Sequence, residues 1–371
     1  MEKNKGSNGK IAKYAIDLST FGTEHAGGKD EVAFSLIRGL CENGHAGDII
    51  CLCRSELNPT IRSIYADIDI INTDDTLFYI RNIKNIVREN NIKVILFTNK
   101  STPWVRLPVP SAVIPHDIEP FLSGIVKGVH YRFFGIRSKV KILLDFCFRD
   151  RVVAISDYDL ETMRGILPCF KEKYIRIYDP VRFVEINKDV GSYITALNIQ
   201  WRHKNVETLI EAYARIYKEV PYNLLLIGKK PDNYNYLIRI IEESGIKDRV
   251  TFTGFVSDED LKGLVSKTAI YVNPSRFEGF GMTAVEMMGS CIPAIISDTT
   301  AGPEVTMGLC RYYGPPDDPD ELAKQILEEY RRPLSEERLE SIANEVKERY
   351  SYIKISRLYW DLLESMAVER G

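Results

Sequence analysis

The chain alternates short β-branched runs with amphipathic helical stretches, and it completes that alternation twice. Lys13–Leu18 predicts a strand, Asp30–Asn43 a helix with apolar Val32, Phe34, Leu36, Ile37 and Leu40, and Asp48–Cys53 a second strand. Thr76–Asn90 then reads as helix, Lys93–Thr98 and Ala112–Pro115 as strands, and Val152–Ser156 as a strand feeding a helix capped near Ser156 or Asp157. From Tyr178 to Val190 the pattern lapses into a polar, proline-containing segment that reads as a linker. It resumes with strands at Tyr193–Leu197, Asn223–Ile227, Val250–Phe252, Ile270–Asn273 and Ala294–Ser297. Helices fall at Asn205–Lys218, Tyr234–Ser244, Ser257–Ser266, Thr283–Gly289 and Asp320–Arg331, and a helical tail at Glu336–Met366 is interrupted near Tyr350–Ser351. Such alternation implies mostly parallel sheets covered on both faces, an α/β chain of two doubly wound halves. A length of 371 residues suits two domains, since single cores stop growing beyond ~250–300 residues.

Composition narrows the classes of function. With 44% hydrophobic and 27% charged residues the chain is globular, and its net charge of -3 gives no overall drive toward nucleic acid. Apolar runs such as Val94–Phe97 and Tyr222–Ile227 are far shorter than a membrane span of about 20 residues. The polar N-terminus lacks the apolar core of a signal peptide, so the expected location is cytoplasmic. Cys51 and Cys53 form a C-x-C on one strand with no histidine at metal spacing, which suits packing in a reducing compartment.

The run Asn273–Glu286, NPSRFEGFGMTAVE, concentrates the chemistry. A strand ends, a glycine-rich turn follows, and a helix opens. Helix N-termini present unpaired N–H groups and a positive dipole end, so the turn is a natural diphosphate cradle. Gly279 and Gly281 let backbone approach a ligand closely, and Glu278 and Glu286 supply two carboxylates. Taken as a generic glycine turn, the segment is better explained by a tight turn and a solvated helix residue.

The full string resembles the E-x7-E signature of glycosyltransferase family 4, and the likeness continues through Gly289–Asp298 and the Pro303-Glu304-Val305 segment. That resemblance implies the GT-B fold, two Rossmann-like domains facing a central cleft. Residues 1–180 would form the acceptor-side domain and 181–349 the donor-nucleotide domain, with a tail of about 350–371 packing back on the first. It assigns Glu278 to the sugar and Glu286 to the ribose. Phe280, Met282 and Thr283 join the donor-binding set with Gly279 and Gly281. Lys204, in Trp201-Arg202-His203-Lys204-Asn205, occupies the position of the family's phosphate-holding lysine; the usual Gly-Arg pair is missing, and Arg202 stands as its substitute. Phe255 and Val256 resemble the loop laid against the nucleobase, Gly27 and Gly28 the first glycine loop, and His116-Asp117 a histidine–aspartate pair in the cleft. In that role the His116 imidazole would hydrogen-bond a sugar hydroxyl. His45 reads as a turn residue.

The implied reaction is transfer of a sugar, GDP-mannose being the first donor to test, to a glycan or lipid-linked glycan acceptor with retention of configuration. The setting would be bacterial surface-polysaccharide assembly. No cofactor or metal is expected: Lys204, Arg202 and a helix N-terminus take the phosphate charge, and Asp67-Ile68-Asp69, a D-x-D, lies far from the donor motifs. A nucleotide-sugar epimerase and a non-catalytic sugar-binding subunit are the competing readings. Between Ser123 and Arg151 basic residues, Lys139 and Lys141 among them, interleave with aromatic and aliphatic ones. That predicts either contact with an anionic membrane on the cytoplasmic face or, for Val140–Phe148, a core helix with solvated charges.

Overall fold

A computed structural model of the chain describes residues 13–22, 28–99, 103–116, 118, 121, 131–187, 189 and 191–369. Gly27 and Asp117 lie outside them, as does much of the basic stretch before residue 131.

The first half builds a seven-stranded sheet. Its strands are β1 (Lys13–Asp17), β2 (Ile49–Cys53), β3 (Asp69–Asn72), β4 (Ile92–Phe97), β5 (Ser111–Val113), β6 (Arg151–Ala154) and β7 (Tyr174–Arg176). They run parallel in the order β3-β2-β1-β4-β5-β6-β7. Helices α1 (Gly28–Leu40), α2 (Asn58–Ile64), α3 (Thr76–Glu89), α4 (Tyr131–Phe148) and α5 (Asp157–Ile166) make the crossovers. Central strands buried on both faces need apolar side chains on both, and β2 is buried at all five positions. Edge strand β3 buries neither end, so its sequence carries a weaker signal.

The second half repeats the design. Strands β8 (Tyr193–Leu197), β9 (Asn223–Ile227), β10 (Val250–Gly254), β11 (Thr268–Asn273), β12 (Ala294–Ser297) and β13 (Arg311–Tyr313) form a sheet in the order β10-β9-β8-β11-β12-β13. Its helices are α6 (Val206–Ile216), α7 (Tyr234–Glu243), α8 (Asp258–Val265), α9 (Met282–Gly289), the single turn α10 (Gly302–Val305) and α11 (Pro319–Arg331). In each sheet strand order reverses beside the first strand, between β1 and β4 and between β8 and β11. The carboxyl ends at such switch points are where doubly wound folds bind ligands.

Two helices close the chain. α12 (Glu336–Tyr350) packs on α9, and α13 (Tyr352–Glu369) returns to lie along α1. The close approach is visible at Gly39, where a Cβ would fall 2.5 Å from the Tyr352 carbonyl. The two crossings between domains run side by side: Val181 N–H donates to the Tyr350 carbonyl at 2.9 Å, and Tyr352 N–H to Val181 at 3.0 Å. Tyr350 meets Tyr178 and Phe280 edge to face, and Tyr178 and Phe280 lie tilted to each other, with ring centroids 5.2 to 6.1 Å apart around that junction. Ile155 of the first domain and Phe280 and Ala284 of the second belong to one continuous buried cluster.

Candidate active site

Glu278 sits where β11 gives way to the glycine turn, and its side chain is 15% exposed. Lys204 Nζ donates to its Oε1 at 2.7 Å, and Asn273 Nδ2 at 3.1 Å. The Ser275 hydroxyl stands 2.6 Å from both that oxygen and Asn273 Oδ1, and its single proton serves one at a time. Among the described residues none donates to Oε2, so one carboxylate oxygen is saturated by protein and the other is left for a ligand. Burial alone would raise this carboxyl. The charges of Lys204 and His203, with the hydrogen bonds from Lys204 and Ser275, hold it below its usual range.

Lys204 is itself placed by contacts that reach beyond its linear motif. Asn205 takes a left-handed conformation, φ 54°, and its amide donates to the Pro316 carbonyl at 2.7 Å. Arg276 bridges the two loops: its N–H donates to the His203 carbonyl, and its guanidinium reaches the Arg202 carbonyl, Glu207 and Asp317. Arg202 lies in the same short turn with an exposed side chain, outside the Lys204–Glu278 contact. The Lys204–Glu278 pair spans 74 positions of sequence and is the feature that joins two motifs into one site.

Gly281 caps α9 at φ 87°, a conformation that a Cβ penalises. It leads into the first amides of the helix at Met282 and Thr283, and the Thr283 hydroxyl is fixed 2.7 Å from Tyr271 Oη. Across the cleft α1 begins at Gly28, where a Cβ would come within 3.0 Å of Met282 Cε. Two helix N-termini from different domains therefore face the same space, both favourable to anions. Glu286, one turn into α9, is partly covered. Burial and then the Glu31 carboxylate of α1 push its carboxyl up to about 8. Phe255, at the carboxyl end of β10, is 69% exposed, with Lys229 Nζ 6.0 Å from its ring centre and Val256 partly covered beside it.

His116 departs from expectation. Its side chain is 3% exposed, its Nε2 lies 3.0 Å from the Thr98 carbonyl, and its Nδ1 faces Asp179 Oδ1 at 3.8 Å. Because a carbonyl only accepts, Nε2 carries a proton, and neither ring nitrogen is presented to a sugar. The cause is local: φ of 51° turns the residue back toward the domain as β5 ends and brings its carbonyl, rather than its ring, toward Gly279.

The architecture is that of the GT-B glycosyltransferases, two Rossmann-like domains about a cleft. Residues 187–348 match the family model described as glycosyl transferases group 1. It resembles the O-antigen chain mannosyltransferase RfbU of Salmonella typhimurium, 28% identical over 63% of this chain and 64% of that one. It also resembles the serotype-specific mannosyltransferase WbdA of Escherichia coli, 27% identical over 55% of this chain. The matched part spans just under two thirds of the first relative and 27% of the second. Among solved structures, sucrose-phosphate synthase from Thermosynechococcus elongatus superposes with a TM-score of 0.74 at 18% identity, covering 96% of this chain and 100% of that one. Anabaena HepE in complex with UDP and glucose gives 0.72 at 15% identity, over 95% and 100%. At such identities the likeness is one of fold.

Proposed function

We propose that this chain transfers a hexose, mannose before others, from a nucleotide sugar to a glycan or lipid-linked glycan acceptor in bacterial surface-polysaccharide assembly, with retention of configuration. The observation that carries the reading is the Lys204–Glu278 pair beside the α9 N-terminus, in which Glu278 keeps one oxygen open. The naming of the relatives above as mannosyltransferases supports the choice of sugar.

Departure of a nucleoside diphosphate leaves negative charge on the β-phosphate. Lys204 and the first amides of α9 are placed to stabilise that charge as it forms, the logic of an oxyanion hole. Arg202, exposed on the same turn, would swing in to share it. Glu278 Oε2 would hold a sugar hydroxyl. The acceptor oxygen attacks from the side of the leaving group, and the departing phosphate takes its proton, so the protein need supply no base. Charge neutralisation by Lys204 and helix ends leaves a divalent ion redundant. GDP-mannose offered with a membrane-extracted glycan acceptor should give an α-linked product at an undiminished rate in EDTA. Turnover confined to another donor would refute the mannose assignment, and chelation loss restored by magnesium would refute the metal-free one.

The acceptor surface is proposed to include α4. Among the described residues no helix is long and apolar enough to cross a membrane. α4 instead buries Ile142 and Phe146 while exposing Ile136 (62%), Val140 (48%), Arg137 and Lys141. α4 follows β5 in a parallel sheet, and the helix after such a strand is expected to start on the side of the strand carboxyl ends, where doubly wound folds bind ligands. Apolar and basic side chains on one exposed edge fit an anionic bilayer, each cation contributing about 1 kcal/mol. Arg137→Glu with Lys141→Glu should release the protein from anionic vesicles at low salt. Equal sedimentation of variant and parent would defeat the lipid-facing role.

A further inference from the structure

The turn before α10 grips Glu278 by its backbone. Glu278 N–H donates to Thr300 Oγ1 at 2.9 Å, and Ala301 N–H donates to the Glu278 carbonyl at 3.3 Å. Thr300 holds φ 52° to make this possible. From the same turn α10 projects Glu304 into the other domain. One carboxylate oxygen accepts from Asp157 N–H at 2.8 Å and the other from Tyr158 N–H at 2.9 Å, the first two residues of α5. Ser156, the cap of α5, accepts from Asp159 N–H at 3.0 Å and donates to the Gly279 carbonyl at 2.8 Å. Both chain neighbourhoods of Glu278, the Thr300 turn and Gly279, are thus fastened to one helix end across the cleft.

We infer that Glu304 is a positioning residue: it latches the closed cleft and, through α10, sets the place of Glu278. A carboxylate at a helix N-terminus makes charge-assisted hydrogen bonds and complements the dipole, so the latch is strong yet reversible. α10 transmits rather than absorbs movement. It is buried at Gly302 and Val305, and a Cβ at Gly302 would press to 3.1 Å of Ile296 Cδ1. Opening the cleft would break the two hydrogen bonds to Glu304 and loosen the turn that holds Glu278. Lys204, held by Arg276 and Asn205 within its own domain, would stay where it is. The inference therefore separates nucleotide binding, for which most of the proposed contacts come from the second domain, from turnover, which needs Glu278 held in place.

Three readouts on the full chain test it. In Glu304→Ala the Asp157 and Tyr158 amides should exchange hydrogen about tenfold faster or more, kcat should fall about tenfold to a hundredfold, and nucleoside diphosphate affinity should stay within about twofold. Glu304→Gln, which keeps an accepting oxygen and the same shape, should recover part of both the protection and kcat, and it serves as the decisive variant if the alanine protein does not fold. Unchanged protection of the two amides, a parental kcat, or nucleotide affinity lost in step with kcat would overturn the latch. The exchange measurement needs no sugar transfer, so the latch stands or falls apart from the proposed donor and acceptor.

Discussion

Lys204→Met is expected to reduce sugar transfer by about a hundredfold to a thousandfold, the range seen when one preorganised donor to a developing charge is removed. Two consequences come from one contact. On the proposed reaction the leaving diphosphate would lose its cation, and Glu278 loses the charge that keeps it ionised while 15% exposed. Breaking a buried pair by deleting one partner costs about 3–5 kcal/mol because the remaining charge is uncompensated. Burial then dominates the Glu278 carboxyl and drives it upward, where Lys204 and His203 now hold it down. In the parent, ionised Glu278 should persist as pH falls below the ordinary carboxylate range. In Lys204→Met the acid limb of kcat/KM should move to higher pH. Glu278→Gln added to Lys204→Met should restore thermal stability without restoring turnover, since no buried charge is left unpaired. A single variant that retains more than a tenth of parental turnover, or keeps the parental acid limb, would show that the pair is structural.

The site divides cleanly into what a linear reading reaches and what it does not. Asn273 to Glu286 is one strand, one turn and one helix start, so the identity and order of its residues already dictate the local geometry. The double alternation carries the fold for a similar reason, because central strands such as β2 are buried throughout and must be apolar. Edge strands are faint: β13 buries little and with α2 and β7 carries no periodic signal long enough to register, while β3 shows only as a short surface strand around Asp67-Ile68-Asp69. The residues that hold the site together escape because they act across distance. Arg276 reads as one more exposed cation until its guanidinium is seen spanning the loops of Arg202 and Asp317. Glu304 was legible as part of a Pro-Glu-Val segment, but its partners lie 147 and 146 positions away. His116 follows β5, and its ring is buried against Thr98 and Asp179, neighbours set by the fold rather than by the motif around it.

Glu286 should govern both nucleotide affinity and the pH dependence of the free protein. It lies partly covered in α9, opposite Glu31 in the first turn of α1, and its carboxyl is raised from 4.5 to about 8 by burial first and by Glu31 second. The folded protein therefore holds a proton there that the unfolded chain releases between those two values. Stability is greatest below the unfolded value and declines as pH rises through the folded one. Melting temperature should fall from pH 5 to pH 8.5, and Glu286→Gln, neutral throughout, should flatten that decline. Ribose hydroxyls would give the carboxyl the hydrogen-bond partners that burial denies it. Measured above about pH 8, where the carboxyl is ionised, Glu286→Ala should then weaken nucleoside diphosphate binding about tenfold to a hundredfold, the equivalent of about 1.5–3 kcal/mol for a bond to a charged group. Glu286→Gln should lose less, because an amide still accepts from one hydroxyl. Calorimetry of the alanine variant showing affinity within twofold of the parent would remove Glu286 from the donor site. A Glu286→Gln protein whose melting temperature still declined with the parental slope would assign the titration to another buried carboxyl, Asp17 or Asp179, since burial raises both.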